Sequence, residues 1–174
     1  MIAIIDYGAG NLRSVEKALE FLGFKAKITS KPDEIISADK VILPGVGAFG
    51  DCMNSINKAY LTQCIHQVIE NNVPFLGICL GLQLLFETSE ESPNEPGLKI
   101  FDGNCIKISK QGSLKIPHIG WNSIKYDKNC PIFQGLSEEP YMYFVHSYYI
   151  NPKDKEIISC LLYTSDAADD LIGV

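Results

Sequence analysis

No apolar run in the 174-residue sequence reaches the roughly 18 residues that a membrane-spanning helix needs. Cysteine occurs six times (Cys52, Cys64, Cys79, Cys105, Cys130, Cys160) but never as C-x-x-C. That argues against a disulfide framework and for the reduced thiols of a cytoplasmic protein. Histidine is scarce, and His66, His118 and His146 form no ligand-like cluster, so no metal centre is expected. Positive charge is the minority sign, with 15 Lys and Arg against 21 Asp and Glu. The net charge of −6 and pI of about 5.0 weigh against nucleic acid or anionic membrane as a general partner. Met1-Ile-Ala-Ile-Ile-Asp6 has neither a basic region nor a cleavage site, so a first strand is expected there and not a signal peptide. There is no internal repeat and no interdomain linker. What remains is a globular composition, 46% hydrophobic and 21% charged, in a length that suits one domain.

The most informative stretch runs from Phe75 to Phe86. Val73 to Leu76 reads as a short buried strand and Leu82 to Phe86 as the first turns of an apolar helix. Between them lies Gly77-x-Cys79-x-Gly81, the thiol counterpart of the G-x-S-x-G nucleophile elbow. A nucleophile on a sharp strand-to-helix turn takes a strained backbone conformation. Its neighbours must lack a β-carbon so that the two segments can approach. The turn also sets the sulfur at a helix N-terminus, where unpaired N–H groups favour a thiolate. The plainer alternative is a buried structural cysteine beside a glycine turn.

Taken in order, the chain alternates strands and helices. Ile2 to Asp6 is a near-continuous apolar strand. Tyr7-Gly-Ala-Gly10 is a tight turn, and Asn11 can cap a helix bearing Leu12, Val15, Ala18, Leu19 and Leu22 on one face and stopping at Gly23. Ala26 to Thr29 is a second strand, and Pro32-Asp-Glu34 the first turn of a second helix. Lys40 to Leu43 is a third strand, ending in Pro44-Gly-Val-Gly-Ala-Phe-Gly50. One long helix is expected from about Asp51 to Glu70, closed by Asn71-Asn72. Such alternation predicts an α/β fold with a largely parallel sheet, right-handed crossovers and ligand sites at the strands' carboxyl ends. After Phe86 the pattern changes. Thr88 to Gly97 reads as a surface loop, followed by short alternating strands at Asn104–Ser109, Ile119–Tyr126, Tyr141–Ile150 and Glu156–Tyr163. Turns are expected at Gln111-Gly112, Lys128-Asn129 and Asn151-Pro152.

Two glycine-rich loops thus end two strands, Pro44-Gly-Val-Gly47 and Gly77-Ile-Cys-Leu-Gly81. They could be turns only. They could also face one another across a crevice, one presenting a thiolate and both offering N–H groups to a tetrahedral oxyanion, as acyl transfer requires. With the motif Gly-Ile-Cys-Leu-Gly-Leu-Gln and the upstream Pro-Gly-Val-Gly-Ala-Phe, the sequence resembles the class I, triad-type glutamine amidotransferases. Asp6-Tyr-Gly-x-Gly-Asn11-Leu, Ile116-Pro-His-Ile-Gly-Trp-Asn122 and Tyr143-Phe-Val-His-Ser-Tyr148 narrow the likeness to the glutaminase subunits of imidazole glycerol phosphate synthases. The resemblance covers about residues 1 to 160.

It implies a three-layer fold, a mixed, largely parallel sheet with helices on both faces, incomplete at its C-terminal end. It implies Cys79 as the nucleophile toward the glutamine side-chain amide, and Val46, Gly47 and the Leu80 N–H as the oxyanion hole. Gln83, Glu91, His146, Ser147 and Tyr148 match positions at the bound glutamine, while Asn11, His118, Trp121 and Asn122 match a face toward a (β/α)8 cyclase partner in a heterodimer. Without the resemblance Gln83 would be an exposed helix residue, Glu91 one acid of a loop and Trp121 a core anchor. No metal or organic cofactor is implied.

The sequence departs from the family in one respect. The catalytic histidine and glutamate of the family lie in a His-Pro-x-Glu segment that does not occur here, and no histidine follows His146. Thr164-Ser-Asp-Ala-Ala-Asp-Asp170 is acidic and rich in small residues, so residues 161–174 are expected to be a non-native tail on an incomplete domain of residues 1–160. Hydrolysis of glutamine by this chain is expected to be impaired. The rivals are another class I amidotransferase, a non-catalytic docking subunit, and a flavodoxin-type binding domain, the last disfavoured by the lack of a phosphate-binding Gly/Ser/Thr cluster in the first loop.

Overall fold

Ile2–Ile5 forms β1, the strand around which the N-terminal sheet is ordered. The structure is a computed structural model that describes residues 1–109, 115–126, 133–154 and 160–162. It divides into two compact units, Met1–Phe101 and Asp102–Val174. In the first unit β1 pairs in parallel with β2 (Ala26–Thr29) on one side and β3 (Lys40–Gly45) on the other. β3 in turn pairs in parallel with β4 (Phe75–Cys79), giving the order β2-β1-β3-β4. The chain leaves β1 in one direction and reaches β4 in the other, so the order reverses between β1 and β3. Right-handed crossovers then put α1 (Leu12–Phe21) on the face opposite α3 (Phe49–Lys58) and α4 (Thr62–Glu70). In such sheets the ligand crevice opens at the carboxyl ends of the strands flanking that reversal. Those ends carry Tyr7 to Gly10 after β1 and Pro44 to Gly47 at β3.

Local sequence explains most boundaries. Asn11 caps α1, its side chain accepting from the Ser14 N–H at 3.4 Å. α2 (Pro32–Ile36) starts with Pro32 in its first turn, followed by Asp33 and Glu34. The core is built from Ala3, Ile4 and Ile5 of β1, Val41 and Leu43 of β3, and Phe49, Met53, Ile56, Ile65 and Val68 of the two helices after it.

Five expectations are corrected. The long helix is two helices, because Tyr60 lies at φ +57° and closes α3 with a Schellman pair of hydrogen bonds: Tyr60 N–H to Asn57 O and Leu61 N–H to Ile56 O. β4 is not a buried strand. It is the last strand of its sheet among the described residues, and Leu76 and Ile78 on it are exposed. The helix after it, α5 (Leu80–Gln83), is a single turn. The α1 face is only half covered: Leu12, Val15 and Leu19 are intermediate in burial, whereas Ala18 and Leu22 are exposed. The segment from Thr88 to Gly97 holds the two-residue strand β5 (Thr88–Ser89) and is tied to the body of the unit, with Ser89 buried and Gly97 N–H donating to Glu87 O.

In the second unit β6 (Gly103–Lys107) pairs antiparallel with β9 (Tyr148–Pro152), and β7 (His118–Tyr126) pairs antiparallel with β8 (Tyr141–His146). β10 (Cys160–Leu162) adds to the other edge of β7. The single strand expected over Tyr141–Ile150 breaks at Ser147, which lets its halves join different partners. Asn151-Pro152 lies inside β9 and is not a turn. Ile124, Phe133 and Phe144 form the core here, with Tyr126, Met142 and Tyr149 packed around them. The turns expected at Gln111-Gly112 and Lys128-Asn129, the flanks of the last strand and the tail from residue 163 lie outside the described residues.

Candidate active site

Three glycines explain why the first two loops meet. β3 and β4 are in register so that Gly45 lies beside Cys79. A β-carbon on Gly45 would run into the Gly81 nitrogen, and one on Gly81 into the Leu43 carbonyl oxygen. One on Gly77 would fall 2.6 Å from Leu82 Cα. The strand, the turn after it and the neighbouring loop are therefore in backbone contact, an approach that only glycine permits. Cys79 sits at the apex with φ +55° and ψ −118°, a conformation that costs a non-glycine residue energy and is held here by the packing around it. Its thiol is free and exposed. The plainer reading, a buried structural cysteine, does not describe this residue; it describes Cys52, Cys64 and Cys105, which are buried. Because α5 is one turn long, few aligned peptide dipoles stand behind the sulfur.

The facing loop leaves β3 at Gly45. Val46 and Gly47 are exposed, and Gly47 takes φ +103° with open space where a side chain would be. Leu80 is buried directly after the nucleophile. Beyond the loop, the start of α3 is capped from Glu91 and Ser92. The Phe49 N–H donates to the Glu91 carboxylate at 2.8 Å and the Gly50 N–H to the Ser92 hydroxyl at 3.0 Å. Glu91 is thus an N-terminal helix cap 42 residues removed in sequence, and one of its oxygens is engaged by the protein itself. Ser92 carried no signal in the sequence, because a cap supplied from a distant loop has no local spacing to betray it. Gln83 lies in α5, half-buried.

The remaining candidates, Asn11 apart, belong to the second unit. His118 and His146 face each other across β7 and β8. His146 Nδ1 is 3.1 Å from the Tyr148 carbonyl oxygen, so that nitrogen carries the proton and Nε2 accepts. His118 Nδ1 lies 3.1 Å from His146 Nε2 and must be its donor, which leaves His118 Nε2 to accept from the Asn122 amide at 2.5 Å. With the Asn122 amide nitrogen as donor, the chain places both imidazoles in the neutral form. Burial lowers the pKa of His118. Burial also lowers that of His146, with the Tyr148 carbonyl opposing and His118 adding to the shift. Ser147 and Tyr148 are half-buried beside this chain. Trp121 is not a core anchor: it is 67% exposed and meets Tyr143 edge-on at 5.6 Å between ring centroids. Ile119, Tyr143 and Val145 are exposed beside it on the same face of the β7–β8 pair. Asn11 remains the α1 cap. Among the described residues no three His, Cys, Asp or Glu side chains gather as a metal would need, and no helix is long and apolar enough to cross a membrane.

Comparison with known proteins gives these positions a context. The family described as "Glutamine amidotransferase class-I" matches residues 3–172. "Imidazole glycerol phosphate synthase subunit HisH 1" of Methanococcus maripaludis is 52% identical over 163 residues, covering 91% of this chain and 79% of that protein. The "Imidazole glycerol phosphate synthase subunit HisH" of Methanocaldococcus jannaschii is 51% identical over 158 residues, covering 91% and 78%. Among solved structures, one described as a glutamine amidotransferase superposes with a TM-score of 0.72 at 15% identity, over 93% of this chain and 80% of that one. A glutamine amidotransferase from Thermotoga maritima gives 0.55 at 16% identity, over 87% and 63%. At such identities the structures speak for the α/β fold.

Proposed function

This chain belongs to the glutamine amidotransferase class-I family, and from that premise we propose that it is the glutaminase subunit of an imidazole glycerol phosphate synthase. Relatives at about half identity carry that subunit's name. The observation that bears most on the chemistry is Cys79, exposed at positive φ on a turn that glycines press against the Gly45 loop. In the proposed reaction the Cys79 sulfur attacks the side-chain amide carbon of glutamine. A C–S bond forms and the amide oxygen becomes an oxyanion, held by the Leu80 N–H and by backbone N–H groups of the Val46-Gly47 loop. Collapse breaks the C–N bond and releases ammonia, and water then cleaves the γ-glutamyl thioester to glutamate. The ammonia passes to a cyclase subunit that makes imidazole glycerol phosphate and aminoimidazole carboxamide ribotide.

Gln83, Glu91, His146, Ser147 and Tyr148 are proposed to contact glutamine. Asn11, His118, Trp121 and Asn122 are proposed to face the cyclase, a reading supported for Trp121 by its exposure among apolar neighbours. Residues 1–160 are proposed to lie within the amidotransferase domain, and the protein is proposed to act in the cytoplasm. The family's His-Pro-x-Glu segment, which supplies a general base and a carboxylate, does not occur in these 174 residues. General-base assistance is commonly worth about 10² to 10⁴ in rate.

Labelling with a glutamine-analogue electrophile, followed by peptide mapping, tests the reading. Modification is expected at Cys79, competed by glutamine, and Cys79→Ser is expected to abolish residual ammonia release while moving stability by only about 1 kcal/mol. Equal turnover in the Cys79→Ser protein would overturn the assignment. An unlabelled Cys79 would favour a docking subunit without catalysis.

A further inference from the structure

Two buried side chains outside the site described above hold the peptide groups of its facing loop. The Tyr7 hydroxyl, 4% exposed as a residue, donates to the Pro44 carbonyl at 2.8 Å. The Cys52 thiol, 2% exposed, donates to the Val46 carbonyl at 3.4 Å. Tyr7 follows β1 and Cys52 lies in the first turns of α3, so the loop is gripped from the strand on one side of the sheet's order reversal and from the helix that follows β3. The Tyr7-Gly10 turn leans on the same proline, since a β-carbon on Gly10 would lie 3.4 Å from Pro44 Cβ.

A trans peptide sets its N–H opposite its C=O. Holding the Val46 carbonyl therefore fixes which way the Gly47 N–H faces, and holding the Pro44 carbonyl anchors the end of β3 from which the loop leaves. Glycine-rich backbone has no side chains with which to fix that orientation for itself, and at Gly47, φ +103°, nothing lies within 4 Å of where a β-carbon would be. Both grips need a protonated donor. Burial raises the Tyr7 phenol above its ordinary pKa, Cys52 adding to it. Burial raises the Cys52 thiol, with Tyr7 opposing and Asp51 and Glu91 adding. Each is a donor at neutral pH.

We infer that Tyr7 and Cys52 are positioning residues, two separate holds that together aim the backbone of the Pro44–Gly47 loop at the tetrahedral intermediate formed on Cys79. The inference rests on the reading of Cys79 as acyl acceptor and of this loop as an oxyanion donor. Neither side chain touches substrate; each acts through a carbonyl group of the loop. Loss of an oxyanion donor itself costs about 10² to 10³ in rate, and loss of a support acting one step removed should cost about tenfold.

The test compares two reactions of the same thiol in the full 174-residue chain. Acylation by L-glutamic acid γ-(4-nitrophenyl) ester forms a C–S bond, passes through an oxyanion and expels 4-nitrophenolate, read as a burst of absorbance. Alkylation by iodoacetamide forms a C–S bond by displacing iodide and develops no oxyanion. The ratio of the two rates removes the thiolate fraction from the comparison. Tyr7→Phe and Cys52→Ala are each expected to lower that ratio about tenfold, with alkylation unchanged. Cys52→Ser, which keeps a donor, is expected to restore it. The double variant Tyr7→Phe/Cys52→Ala should fall by less than the product of the two single losses, because both side chains act through the same short loop. An unchanged ratio in both single variants would overturn the inference, as would acylation and alkylation falling together, which would mean only a disturbed fold. A burst that survives Cys79→Ala would instead overturn the underlying reading of the site, a separate outcome.

Discussion

His118 and His146 show how a single proton can be stabilising or disruptive. Every ring nitrogen in the chain from Asn122 to the Tyr148 carbonyl is already committed as donor or acceptor. A further proton on either ring would set two donors against each other. Both pKa values are lowered in the fold, so the unfolded chain, with ordinary histidines near about 6.5, takes up protons first as the pH falls. The linked stability is therefore fully present above about pH 6.5 and is lost as the pH drops through the lower folded values. Thermal melts between about pH 7.5 and 5 are expected to show a falling midpoint for the parent chain and a shallower fall for His146→Gln. Parallel slopes for the two proteins would place the acid sensitivity elsewhere. Nothing in the sequence announced the pairing. His118 and His146 are 28 residues apart and become neighbours only through the antiparallel register of β7 and β8.

Helix ends were legible wherever the residue in the left-handed position was one that favours it. Gly23 and Asn72 close α1 and α4 with Schellman hydrogen bonds, and both are conventional stop signals. Tyr60 makes the same bonds at φ +57° without being such a residue, which is why a pattern of buried positions from Met53 to Val68 read as one helix. The break lets Leu61, at the start of α4, and Ile65 within it become fully buried while Tyr60 stays 87% exposed. Since almost nothing packs on that ring, Tyr60→Gly is expected to raise stability. Relief of the left-handed conformation, about 1 to 2 kcal/mol, outweighs the added freedom of glycine in the unfolded chain, about 0.5 to 1 kcal/mol. Chemical denaturation would read a higher midpoint at unchanged slope; a lower one would mean that the tyrosine ring contributes packing after all.

For the molecule as a whole, the exposed face of β7 and β8 is the feature that a lone chain does not explain. Ile119, Trp121, Tyr143 and Val145 are each more than half exposed, on one face of one strand pair. Large contiguous apolar surface is uncommon on monomers and marks places of association. If that face meets the cyclase, Trp121→Ala should weaken the complex by roughly 2 kcal/mol or more, as truncated interface aromatics do. The melting temperature of the free chain should change little, because the side chain is mostly in water. Titration calorimetry with the cyclase, alongside a melt, separates the two effects. A variant that unfolds but binds normally per folded molecule would return Trp121 to a structural role.

Sequence alone determined whatever depends on near neighbours in the chain. It determined the alternation of β1 to β4 with helices, the Asn11 cap and the elbow around Cys79, because strand period, capping and the glycine spacing of a strained turn are all written within a few residues. Only the tertiary structure decided what depends on segments brought together from afar. Glu91 caps α3 from a loop 42 residues away, and Tyr7 reaches Pro44 across 37. Cys52, one of six cysteines of similar appearance, proves to lie under the loop that Cys79 faces. A hydrogen bond needs the same donor and acceptor at any separation in sequence, and composition holds no record of which donor a fold will place beside which carbonyl.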